Sequence, residues 1–226
     1  MDWVALYYVL LQLFSALATT LELAAIAIVL GVAIGVVLGM LHVWGGRAIR
    51  GALFVLVSLI RGIPLVVQVF AVFFVLPSIG IKFSGFTSAA IALTAFASFT
   101  VMEIVRGGIQ AIPREQMQAA LSLGFLYVGA MRTIVLPQAF RIVLPALVNQ
   151  SVFMIKATSV VSLFGVGEFL FVAKENIERT LMSFEIMAFV WIVYTAICYP
   201  LTLLGRRWEA RLQARGFTPV AAAVTP

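Results

Sequence analysis

The sequence predicts an all-α integral membrane protein with five transmembrane helices. Three observations carry this. Hydrophobic residues make up 63% of the 226-residue chain and charged residues only 11%, against roughly 45–50% and about 25% in soluble domains. That much apolar surface exceeds what a soluble interior of this size hides. The apolar runs are long and unbroken, whereas the strands of a membrane barrel alternate apolar and polar residues.

A helix needs about 20 apolar residues to cross a ~30 Å hydrocarbon core. The spans fall at about 20–41, 53–77, 85–105, 142–167 and 186–205. The first contains the uncharged run Leu23 to Leu41. The second is interrupted only by Arg61. The third runs through Phe83 to Met102. The fourth joins Ile142–Ile155, past Lys156, to Ala157–Gly167. The fifth is Ile186 to Gly205. Met1-Asp2-Trp3 has no basic stretch before its apolar run, so the first segment is expected to stay in the membrane. A single transmembrane domain, 1–215, precedes a short tail, 216–226, expected to be disordered and cytoplasmic.

Charge sets the orientation. Arg47, Arg50, Arg106, Arg114, Arg132, Arg141, Arg206, Arg207, Arg211 and Arg215 lie on one side, and Lys82, Lys174 and Arg179 on the other. The positive-inside rule places the larger set in the cytoplasm, with the N-terminus outside. Glu168, Glu175, Glu178 and Glu185 then fall in the outer loop between spans four and five. The net charge of +6 reflects this asymmetry rather than nucleic-acid binding. Cys198, the one cysteine, can form no intrachain disulfide.

The longest inner loop runs over 106–141. Pro113 starts a short helix, Arg114 to Leu123 are good helix formers, and Gly124 caps its end. Pro137 and Pro145 punctuate the return to the membrane. In span one, Gly31, Gly35 and Gly39 form a small-xxx-small face, read as packing against a helix of the same subunit. Glu103 and Arg106, three residues apart, form a local pair at the inner face. Arg61, with Gly62 and Pro64, marks the inner end of span two. His42 has no partner at metal-ligand spacing, no catalytic set is visible, and there is no Walker A sequence.

The loop reads Gln118-Ala119-Ala120, three residues, Gly124, nine residues, Ile134, one residue, Leu136-Pro137. This resembles the EAA motif of permease subunits of bacterial ABC importers. Arg61 to Gln68, Glu103 to Ile109, Leu136 to Ala139, Asn149-Gln150 and Cys198 to Leu201 resemble the polar amino-acid branch, the histidine/glutamine permease-like family. The resemblance covers about Thr20 to Leu212. It implies the type I ABC importer transmembrane fold in a multi-pass protein of the bacterial cytoplasmic (inner) membrane. The function implied is translocation of a polar amino acid or related small solute. The partners implied are cytoplasmic ABC ATPase subunits, which bind ATP and Mg, an external solute-binding protein, and a second permease subunit, identical or related. The chain itself would carry no cofactor and no ATPase activity.

By the same resemblance Gln118, Ala119, Ala120, Gly124, Ile134, Leu136 and Pro137 couple the chain to the ATPase. Gln118 stands where the family has Glu, and Glu115 lies in a different helical phase. The family often has Lys-Asp-Thr-Ser where this chain has Lys156-Ala157-Thr158-Ser159. Lys156, Thr158 and Ser159, with Gln68, are the substrate-path candidates. A lysine in mid-span costs roughly 2.5–3.5 kcal/mol on insertion scales unless a partner, water or ligand compensates. A structural pair across helices is the competing account of Lys156. The rival function, a self-sufficient secondary transporter or channel, needs mid-membrane carboxylates, and Glu22 and Glu103 lie toward span ends.

Overall fold

A computed structural model describes residues 3–214. The expected tail, 216–226, and Arg215 lie outside the described residues, as do Met1 and Asp2. α1, Trp3–Trp44, has 42 residues and is roughly 63 Å long at 1.5 Å per residue. Span one was expected to begin near Thr20. The helix begins at Trp3 instead, because no glycine, proline or charge interrupts Trp3 to Leu21.

The second expected span is broken. α2, Arg47–Gly62, and the helical segment Leu65–Ser78 meet at 101°. Gly62 ends α2, and the residue before Pro64 is pushed out of the helical region: Ile63 is extended. α2 has its three arginines on one side and a broad apolar face on the other. The returning segment is α3, Leu65–Phe70, a π turn, Ala71–Val75, and α4, Leu76–Ser78. Among the described residues four further helices are long and apolar enough to cross a membrane, and the bent pair brings the number to five when its two arms are counted as one span.

α5, Gly85–Gln110, is capped by Ser84, whose hydroxyl accepts the Thr87 amide. α6, Arg114–Ser122, follows, then α7, Tyr127–Ala130, a π turn, Met131–Val135, and α8, Leu136–Ala157. Helix therefore resumes at Tyr127, well before the expected boundary at 142, and Pro145 lies inside a continuous helix instead of punctuating a loop. A 3-10 stretch, Thr158–Phe164, ends α8's run. α9, Phe169–Thr180, is a helix where a loop was expected, and α10, Ser183–Gln213, is the last element among the described residues.

Both π turns precede a Val-Leu-Pro sequence. The Leu76 amide bonds to the Ala71 carbonyl and the Leu136 amide to that of Met131, each five residues back. A proline ring clashes with the carbonyl four residues earlier, and the wider turn relieves this.

The interior consists of clusters stacked along the bundle. Val9, Leu13, Phe169, Ala173, Ile186 and Val190 join α1, α9 and α10 at one end. Leu23, Ala27, Leu93, Ala97, Met154 and Val161 fill the middle. Val101, Ile109, Met131 and Ile142 close the end that carries α6. The glycine face of α1 packs on α5, as its spacing predicts. A Cβ at Gly31 would lie 2.5 Å from Ala97 Cβ, at Gly35 2.5 Å from Val101 Cβ, and at Gly39 2.8 Å from Val105 Cβ.

Candidate functional site

The loop helix α6 is built from its ends. Pro113 is its N-cap, one position earlier than expected, and supplies the extended entry. At the other end Gly124 adopts φ +86°. Its amide bonds to the Leu121 carbonyl, and the Phe125 amide to that of Ala120 at 3.1 Å. This is a Schellman cap, which satisfies carbonyls the helix leaves open. Nothing lies within 4 Å of a Cβ built at Gly124. The backbone angle, rather than crowding, requires glycine there.

The motif residues divide into two roles. Ala120 is 1% exposed and seats α6 against its own subunit, as do Ile112 and Met117. Gln138 donates its amide to Gln116 Oε1 and to the Ile134 carbonyl, tying α6 to the start of α8. Ile134 and Leu136 are half-buried beneath the loop, at the π turn made necessary by Pro137. Gln118, Ala119 and Gly124 face outward. The sequence reading missed the apolar surface beside them: Leu123, Leu126 and Val128 are 80%, 83% and 75% exposed. The visible signal was a row of large apolar residues directly after a helix cap, out of phase with any buried stripe.

Above the loop lies an ionic cluster. Arg106 donates to both oxygens of Glu103, at 3.0 and 2.7 Å, and to Gln110 Oε1. This is the pair that the spacing predicts. Arg61 joins it at 3.8 Å from Glu103, so the end of α2 is held to α5. Gln68 closes the same corner. Its amide donates to the carbonyls of Ile60, 2.7 Å, and Ile63, 2.9 Å; the break leaves the Ile60 carbonyl only a 3.4 Å bond from the Ile63 amide.

The candidates at the end of α8 are also separated by the fold. Lys156 is exposed on the subunit and forms no ion pair among the described residues. Thr158 is fully buried, and its hydroxyl donates to the Ile155 carbonyl. Ser159, half-buried, donates to the Lys156 carbonyl. Lys156 and Ser159 therefore reach the subunit surface, and Thr158 faces inward.

At the end of the bundle remote from α6, Glu168 is no loop residue. It is 0% exposed and forms the N-cap of α9, accepting the Phe171 amide at 2.8 Å. Thr20 of α1 donates to its other oxygen and accepts the Phe169 amide. Burial pushes the Glu168 carboxyl above the ordinary carboxylate range, against the opposing pull of the Leu170 and Phe171 amides and Thr20. Asn176 of α9 donates to Gln12 of α1 at 3.0 Å.

A family model described as the binding-protein-dependent transport system inner membrane component matches residues 28–215. The chain is 32% identical over 194 residues to the probable glutamine ABC transporter permease protein GlnM of Bacillus subtilis, covering 86% of this chain and 90% of that one. It is 30% identical over 214 residues to the glutamine transport system permease protein GlnP of Escherichia coli, covering 94% and 98%. In a crystal structure of an amino acid ABC transporter with histidines, one chain superposes with a TM-score of 0.86 at 30% identity, covering 94% of this chain and 99% of that one. A chain of the MetNI methionine ABC transporter shares the fold at a TM-score of 0.75 and 18% identity.

Proposed function

Because the chain belongs to the binding-protein-dependent transport system inner membrane components, we propose that it carries a polar amino acid across the bacterial inner membrane as the permease half of an ABC importer. The relatives it resembles are named for glutamine, arginine and cystine transport. The observation that carries the mechanism is α6, a capped helix held rigidly to the start of α8 with an exposed apolar rim. Such a piece transmits a push. Gln118, Ala119 and the Leu123–Leu126 rim meet the ATPase, while Ala120, Gly124, Ile134, Leu136 and Pro137 hold the helix in place.

Two cytoplasmic ATPase subunits bind ATP and Mg and close on the coupling helices. A second permease subunit, identical or related, completes the path, and an external solute-binding protein delivers the substrate. Motion of α6 is passed to α8, whose far end carries Lys156, with Ser159 of the following 3-10 stretch, on the subunit surface. There the ammonium can receive the substrate carboxylate. Gln68 keeps the bent second span at its angle, and Thr158 fixes the turn from α8 into the 3-10 stretch. The end bearing α6 faces the cytoplasm, as the arginine asymmetry requires.

The test is reconstitution with the ATPase and binding protein in liposomes, with uptake of a labelled amino-acid panel. ATP-dependent uptake of at least one polar amino acid is expected. Uptake at the same rate without the ATPase would overturn the reading. Orientation is checked by impermeant thiol labelling of Leu123→Cys and Glu178→Cys in intact cells. Only the second should label.

A further inference from the structure

Along the seam between α8 and α10 the helices are in close contact at Gly205, where a Cβ would lie 2.9 Å from Asn149 Oδ1. One turn nearer the α6 end they part and leave a cleft. One wall is Arg141, Leu144 and Pro145, and the other is Trp208, Arg211 and Leu212. The two sets share the spacing i, i+3, i+4, so each is a single face of its helix. Neither arginine has a carboxylate partner among the described residues.

Two guanidinium groups on facing walls repel one another unless an anion lies between them. Their planar forks match phosphate oxygens. The remaining walls are apolar, which suits an amphiphile better than a soluble ion. Trp208 is an indole of the kind enriched at headgroup depth. Pro145 has no amide hydrogen, so it leaves the Arg141 carbonyl, four residues back, without its helical donor. That carbonyl is an acceptor beside the arginines.

We propose that this cleft holds the phosphate of an acidic phospholipid of the inner leaflet. Arg141 and Arg211 grip the phosphate. The Arg141 carbonyl accepts a headgroup hydroxyl, and Leu144 and Leu212 flank the start of the acyl chains. Basic pockets between helices on the cytoplasmic side are suited to such headgroups. The lipid bridges α8 and α10 where they diverge, on the helix that leads away from the coupling loop. The inference rests on the cytoplasmic orientation of the α6 end adopted above.

The experiment uses the complex with its ATPase, delipidated and then exchanged into phosphatidylglycerol or phosphatidylcholine. Retained lipid is counted by native mass spectrometry. Retention of phosphatidylglycerol over phosphatidylcholine is expected, undisturbed by inorganic phosphate. In Arg141→Gln/Arg211→Gln the apparent affinity should fall about thirtyfold, as for two arginines at an acidic surface. Arg141→Lys/Arg211→Lys keeps the charge and loses the fork, and it should fall between the two. It decides the matter if the glutamine pair does not fold.

Equal retention in wild type and both variants overturns the proposal. Displacement of the lipid by inorganic phosphate makes this a free-anion site and also overturns it, as does loss of the ATPase from the variants with lipid unchanged. Lipid retention is read without transport. Its failure leaves the importer reading standing, and absent uptake in the wild type leaves this measurement intact.

Discussion

Thr20 and Glu168, 148 positions apart, form the joint between the first helix and α9. The Thr20 hydroxyl donates to Glu168 Oε2 at 3.3 Å and accepts the Phe169 amide at 2.9 Å. One hydroxyl therefore serves both the carboxyl and the backbone of the cap.

This joint gives stability a pH dependence. Burial raises the folded-state pKa of Glu168 above its ordinary value. The folded state thus binds the proton more tightly than the unfolded state. Its contribution is complete below the unfolded pKa and is lost as pH rises through the folded one. The melting temperature of the purified protein in detergent should fall over that interval. Glu168→Gln, which keeps an acceptor for the Phe171 amide, should flatten the slope. An unchanged slope in the variant would place the titration elsewhere.

Gly35 packs directly on α5, with a Cβ there 2.5 Å from Val101 Cβ and 2.6 Å from the Ser98 carbonyl. Gly35→Val is expected to destabilise by about 1–3 kcal/mol or more, the cost of overpacking. Gly51→Ala, with nothing within 4 Å, serves as the control and should melt no lower than wild type.

Gly124→Asp is expected to separate ATP hydrolysis from uptake without preventing membrane insertion. A Cβ in the left-handed region costs roughly 1–2 kcal/mol, and the carboxylate adds a charge at an exposed rim. Uptake and ATPase turnover, measured together in liposomes, decide it. Normal uptake in the variant would remove the loop from the mechanism.

Lys156→Met keeps most of the side-chain volume and removes the charge. Lys156 is exposed and has no ion pair among the described residues, so the variant should assemble normally. Weaker apparent substrate affinity in the assembled complex is the outcome expected of a path residue. Unchanged affinity would retire the site.

The sequence by itself determined the all-helical membrane class, the glycine face of α1, the Glu103–Arg106 pair and the Gly124 cap. Each depends on one composition or on one short spacing within a helix. Hydropathy, a four-residue period and a left-handed backbone angle are local quantities, so they are legible without a partner segment. Only the tertiary structure decided that the first half of α1 packs on α9 and α10 through Val9 and Leu13, because that half is apolar whether it meets lipid or protein. It also decided that Gln68 closes the Gly62–Pro64 corner and that Glu168 is buried. The carbonyls of Ile60 and Ile63 come within reach of Gln68 only once the helix bends. The Glu168 carboxyl loses its water only once Thr20, far away in sequence, is packed against it.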